Sequence, residues 1–194
     1  MEDPDCIKSS EESWRWIVIG IALTRILTPG LRQVVEQNVL KEYKNHLKSK
    51  DNVIAPHIIV HSSNHSVVCY DNVQKSGDGK DQKRHKKVAS HVDFAKLFLE
   101  EHMVYFKAFD ETCDLAVELC LFSKMSCFPV PLQNAANLVK KGWNMWAHYK
   151  PSEWQFDDFK QRFRDMKELV AQVGLSPSHE SKVLEDLKKC EKQG

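Results

Sequence analysis

The sequence predicts an all-α protein, a compact bundle of six or seven helices with a long insertion over about residues 49–90. Two observations carry this. Apolar residues recur at i, i+3, i+4 and i+7 along most of the chain, the spacing of one helix face. Serine, threonine, proline and glycine punctuate those stretches where helices start and stop. The β-prone runs are confined to the insertion. At 194 residues the chain has the length of one domain, and no internal repeat divides it.

Residues 1–12 are polar and acidic and are expected to form a flexible N-terminus, with a single helical domain over 13–191. Ser13 is placed to cap a first helix beginning at Trp14. Trp14, Ile17, Val18, Ile21 and Arg25 share one face, and Ile19, Ala22, Leu23 and Ile26 fill much of the rest, the pattern of a central core helix. Thr28-Pro29 has the form of an N-cap followed by N1, where proline's missing N–H costs nothing. A second helix then runs from about 29 to 48 through Leu31, Val34, Val35, Asn38, Val39 and Tyr43. In the insertion, His57–Val60 and Val67–Tyr70 outline a small hairpin. Gln74–Lys87 follows as a solvated basic loop, with six lysines and arginines against two aspartates. Phe94, Ala95, Leu97 and Phe98 mark a short helix. Cys113, Ala116, Val117, Cys120, Leu121 and Cys127 follow helical spacing. After Pro129 and Pro131, the residues Leu132, Ala135, Leu138, Val139, Gly142, Trp143 and Trp146 mark a long helix, with Leu138 grouped on its buried side. Ser152-x-x-Gln155 is a capping-box pattern ahead of Phe156, Phe159, Phe163, Met166, Val170 and Val173, and Gly174 suits the C′ position. Ser176-Pro177 opens a last helix through Val183, Leu184 and Leu187.

Composition excludes several classes. Hydrophobic residues make up 42% and charged residues 28%, which argues against a wholly disordered chain. The net charge of +1 gives no global attraction to nucleic acid or to an anionic membrane. Six cysteines stand at 6, 69, 113, 120, 127 and 190 without a close pair, so no zinc ribbon or RING-type site is encoded. The acidic start argues against a secretory signal peptide, and the most apolar run, Ile17–Leu23, lies between Arg15 and Arg25 and is too short to span a bilayer. A cytoplasmic protein with reduced thiols is expected, with no membrane association, no cofactor and no DNA partner.

Four constellations could carry chemistry. Cys113, Cys120 and Cys127 stand a heptad apart, and buried packing explains such cysteines better than metal binding. His57, His61, His65 and Cys69 recur every fourth residue, which suits zinc on a helix; the strand-like flanks and Pro56 place neighbours too far apart for one ion. The basic run 75–87 lacks the aromatics that stack on bases. On the long helix, Asn137, Lys141, Asn144 and His148 line one polar stripe at about 100° per residue. A histidine there suits acid–base work. A helix C-terminal histidine that complements the dipole has the same sequence pattern.

Three ordered pieces also resemble a known family. They are Gly20–Arg32; His91–Leu99 with Phe109-Asp110 and Cys113-Asp114; and Asn144-Met145-Trp146-Ala147-His148 with Glu153-Trp154, Leu169-Val170 and Gly174-Leu175. Together these resemble the HEPN domain (higher eukaryotes and prokaryotes nucleotide-binding) of the type found in the DAZ-interacting RING ubiquitin ligase and its invertebrate relatives. The resemblance spans about residues 13–190 and is weakest over 50–90. It implies a helical bundle, often dimeric. In active members an arginine, usually followed by a polar residue, precedes a histidine by four to six positions, and two copies cut RNA without a metal.

Carried over, His148 matches the histidine and Asn144 the polar position, while Trp143 stands where the arginine belongs. Indole offers one neutral donor and cannot replace a bidentate guanidinium. Lys141 supplies charge nearby without that fork. The resulting expectation is a non-catalytic interaction module, self-associating as a homodimer and binding protein or RNA through Asn137, Lys141 and Trp143. The alternative is a divergent metal-independent endoribonuclease using His148 and Asn144.

Overall fold

The structure, a computed structural model, describes residues 4–49, 88–148 and 154–194, with side chains described at 11–46 of the first segment. The expected hairpin, the basic loop, the His57–Cys69 series and Ser152 lie outside the described residues.

The first helical signal extends further than expected. Helix α1 runs Pro4–Ile21, starting ahead of Trp14, and continues without a break through a π turn, Ala22–Leu27, into α2, Thr28–Ser49. The expected helix start at Thr28 is therefore corrected: Thr28 is helical, and its N–H bonds to the carbonyl of Leu23, five residues back. Proline clashes with the carbonyl four residues before it and has no N–H to give. A π turn absorbs that defect by widening the preceding turn. The Thr28 hydroxyl donates to the same Leu23 carbonyl at 2.7 Å.

Helix α3 is His91–Lys96, capped by the Ser90 hydroxyl, which accepts the Asp93 N–H at 3.1 Å. A 3-10 turn, Glu101–Met103, leads to α4, Leu115–Lys124. The Asp114 carboxylate caps α4 by accepting the Val117 N–H at 3.0 Å. Helix α4 is shorter than the cysteine spacing suggests: Cys113 precedes it and Cys127 follows it, so the three thiols do not share one helix. Helix α5, Val130–Ala147, carries Pro131 in its first turn, where proline is tolerated. Helix α6, Phe156–Val173, starts after Gln155 and ends at Gly174, whose φ of 77° is the left-handed conformation glycine adopts freely. Helix α7, Pro177–Glu191, starts at Ser176-Pro177 as the sequence indicates. The described residues contain no strand.

Helices α4, α5, α6 and α7 pack in sequence, each against the next. The α1 half of the first rod lies against α5, α6 and α7, and the α2 half lies against α3 and α4. Trp154, Phe94, Phe122, Phe159 and Phe163 are the largest fully buried side chains. Val18, Ile19, Ala22, Leu23, Leu27, Leu31, Val35 and Val39 bring the first rod into that core. The stretch Glu11–His46 is long and apolar enough by length and composition to cross a membrane, yet half of its most apolar window is buried inside the protein. Packing accounts for that apolarity.

The sequence reads α1 as a central core helix apolar on most sides; in the fold one of those sides is open. Trp14, Ile17 and Ile21 stand outward, while Val18, Ile19 and Ala22 face inward. The Trp14 indole N–H donates to the Gln193 carbonyl at 2.6 Å, and Arg15 Nε donates to the Gly194 carbonyl at 3.2 Å. These bonds tie α1 to the residues that follow α7.

Candidate functional site

Helix α5 presents Asn137, Lys141, Asn144 and His148 together on an open surface, all four exposed. This is the arrangement the spacing predicts. Leu138, expected among the buried residues, is 41% exposed and borders the stripe. Its angular position lies between the polar line and the inward line of Ala135, Val139 and Gly142, so periodicity alone assigns it poorly. His148 is the C-terminal cap of α5, and its N–H donates to the Asn144 carbonyl at 3.1 Å. Its ring is therefore at the exposed end of the helix, where a protonated imidazole complements the dipole.

Trp143 does not join the stripe. It is half-buried and tilts against Trp146 at 5.1 Å between ring centroids. Trp146 in turn stacks on Trp16 of α1 at 5.7 Å, and the Trp16 indole N–H donates to the Trp146 carbonyl at 2.9 Å. The residue in the arginine position is thus the edge of a three-tryptophan packing cluster between α1 and α5. A guanidinium does approach this helix: Arg162 of α6 lies across Gly142, where an added Cβ would meet its Cδ at 2.9 Å. Arg162 is committed to the buried Asp165, to which Nη1 donates at 2.9 Å. Within one chain the stripe therefore offers an imidazole, two amides and an ammonium, without a bound guanidinium donor. It can form hydrogen bonds and ion pairs with a partner. His148 and Lys141 are the groups of the stripe able to carry a proton.

Other polar residues are buried away from α5. Glu118 of α4 is fully buried and accepts from Arg32 Nε of α2 at 3.2 Å, while Arg32 Nη2 donates to the Cys113 carbonyl at 3.0 Å. Burial outweighs the arginine and pushes the Glu118 carboxyl up to about 9. Lys96 of α3 is also buried and lies 5.5 Å from the Phe106 ring centroid, and burial pulls its ammonium down. Burial raises the Cys113 thiol far above the ordinary range and Cys127 to about 12, as expected of packing thiols that stay protonated. Among the described residues, no three histidine, cysteine or carboxylate side chains come together as metal ligands.

The sequence reading missed Glu118, although its position carries a signal. At about 100° per residue Glu118 falls between Leu121 and Phe122, both buried, so a charge there had to find a partner.

Compared with known proteins, the chain matches no family model, no curated protein and no solved structure.

Proposed function

We propose that this chain is a non-catalytic helical interaction module that self-associates through the exposed face of α5. The observation that carries the reading is the open stripe Asn137–Lys141–Asn144–His148 with Leu138 beside it. A mixed polar and apolar strip of this kind suits a contact surface. The resemblance to HEPN domains supports self-association, and Trp143 in the arginine position supports a degenerate ribonuclease motif. The four described cysteines are free thiols.

A second reading, a divergent metal-independent endoribonuclease, rests on His148 and Asn144 sharing one exposed face. Both are tested together. Labelled single-stranded RNA is incubated in EDTA with wild type, His148→Ala and Trp143→Arg, with circular dichroism confirming each fold. Sedimentation of wild type and of the double variant Leu138→Glu, Lys141→Glu reports association. Dimerisation lost in the double variant, with no RNA cleavage by wild type, supports the module. Cleavage that His148→Ala removes makes the chain an endoribonuclease, and a strict monomer sinks the self-association reading.

A further inference from the structure

A second surface lies apart from α5, at the opening between the 3-10 turn and the start of α4. It is a cleft of about 220 Å³ lined by His102, Met103, Tyr105, Phe106, Thr112, Asp114, Ala116 and Val117. Small-molecule and cofactor sites run from ~300 Å³ upward, so this opening suits one side chain better than a cofactor. We propose that it receives an arginine side chain from a basic peptide of a partner protein.

Three features select that occupant. Tyr105 is 70% exposed, so its ring projects from the chain beside the cleft. Phe106 beneath is buried and already faces the Lys96 ammonium, which leaves Tyr105 as the ring open to a ligand. A guanidinium stacks on an aromatic face better than an ammonium does. The charge is also one-sided. Residues 100–114 carry Glu100, Glu101, Asp110, Glu111 and Asp114, all exposed, against one lysine, Lys107. Glu100 is shared with Lys124 at 3.7 Å, and Asp110 is held by the Thr112 hydroxyl and N–H. Asp114 sits in the cleft wall. Its Oδ1 accepts the Val117 N–H, and a carboxylate has about four acceptor positions, so capping leaves capacity for a guanidinium. A helix start ordinarily attracts anions. Here the capping carboxylate and its acidic neighbours reverse that preference and disfavour phosphates.

The test is fluorescence anisotropy of a labelled glycine–serine peptide bearing arginines, with lysine and citrulline versions as controls, at low and high salt. Citrulline keeps the shape of arginine without its charge. Saturable binding in the order arginine, lysine, citrulline is expected, weakening with salt. Tyr105→Ala and Asp114→Asn should each weaken the arginine peptide roughly two- to fivefold, the size of an exposed cation–π contact. Glu168→Gln, exposed on α6 and outside residues 100–114, should leave affinity within error. Asparagine keeps the helix cap, and Tyr105 is exposed enough that its removal decides alone if Asp114→Asn unfolds. Equal binding of citrulline, unchanged binding by both cleft variants, or an equal loss with Glu168→Gln overturns the proposal. Dimerisation through α5 is read by sedimentation, so the two surfaces succeed or fail separately.

Discussion

Gly20→Ala sets two effects of opposite sign against each other. Alanine is the better helix former by about 1 kcal/mol, so the backbone term favours the variant. The side-chain term opposes it. A Cβ at residue 20 would meet Trp146 at 2.5 Å from Nε1, 2.8 Å from Cε2 and 2.9 Å from Cζ2, against 3.4 Å for the near edge of ordinary contact. The indole has little room to retreat, because it stacks on Trp16 and is flanked by Trp143. Overpacking of this kind costs about 1–3 kcal/mol. The net expectation is a loss of about 1 kcal/mol and up to ~2, or roughly 2–8 °C in Tm for a chain of this length. Urea and thermal unfolding followed by circular dichroism measure it, and tryptophan emission should shift with the disturbed cluster. Gly30→Ala is the internal control. Its Cβ would meet nothing nearer than 3.7 Å, so only the helix term acts and the variant gains up to ~1 kcal/mol. If Gly20→Ala proves as stable as Gly30→Ala, the tryptophan cluster is looser than these contacts require and the reasoning fails.

Three further perturbations follow from the same packing. Glu118 is raised in the folded state, so the folded protein binds more protons than the unfolded chain from about pH 4.5 to about 9, and stability falls as pH rises through that window. The slope is up to ~1.4 kcal/mol per pH unit. Glu118→Gln should flatten it, and identical urea profiles for variant and wild type across pH would refute the assignment. Thr28→Val removes the hydroxyl bond to Leu23 and should cost about 1 kcal/mol, measured by urea unfolding. His148→Ala touches only an exposed cap and should change stability by less than ~0.5 kcal/mol in thermal unfolding. A larger loss would mean that His148 holds the end of α5 in place.

The fold was legible wherever one face of a helix is apolar and the other polar. Helices α5, α6 and α7 satisfy this, and their starts and stops at Pro131, Gly174 and Ser176-Pro177 use local chemistry that needs no tertiary information. Helix α1 defeated the same method. Trp14, Ile17, Ile19 and Ile21 surround it with apolar groups, so the pattern could not choose an inward face; the neighbours α5, α6 and α7 chose Val18, Ile19 and Ala22. Thr28-Pro29 misled for a different reason. Its cap chemistry and its role after a π turn share one sequence, and the packing of both halves of the rod selects the continuous helix. The exposed stripe on α5 was readable from 100° spacing. The fate of Trp143 was readable only in part, because its contact with Trp146 is local but the stacking of Trp146 on Trp16 joins residues 130 positions apart.

The π turn between Ala22 and Leu27 also acts as a phase shifter. Upstream, Val18 and Ile19 address the side where α5, α6 and α7 lie; downstream, Leu31, Val35 and Val39 address α3 and α4. One rod thereby serves both sides of the molecule, with its two buried faces set by the widened turn. Winding the same residues at ordinary α pitch would swing one half against the other by roughly 100°. Either half could keep its neighbours, but not both. The widened pitch of 22–27, rather than the identity of the exposed Thr24 and Arg25 within it, therefore sets the two buried faces.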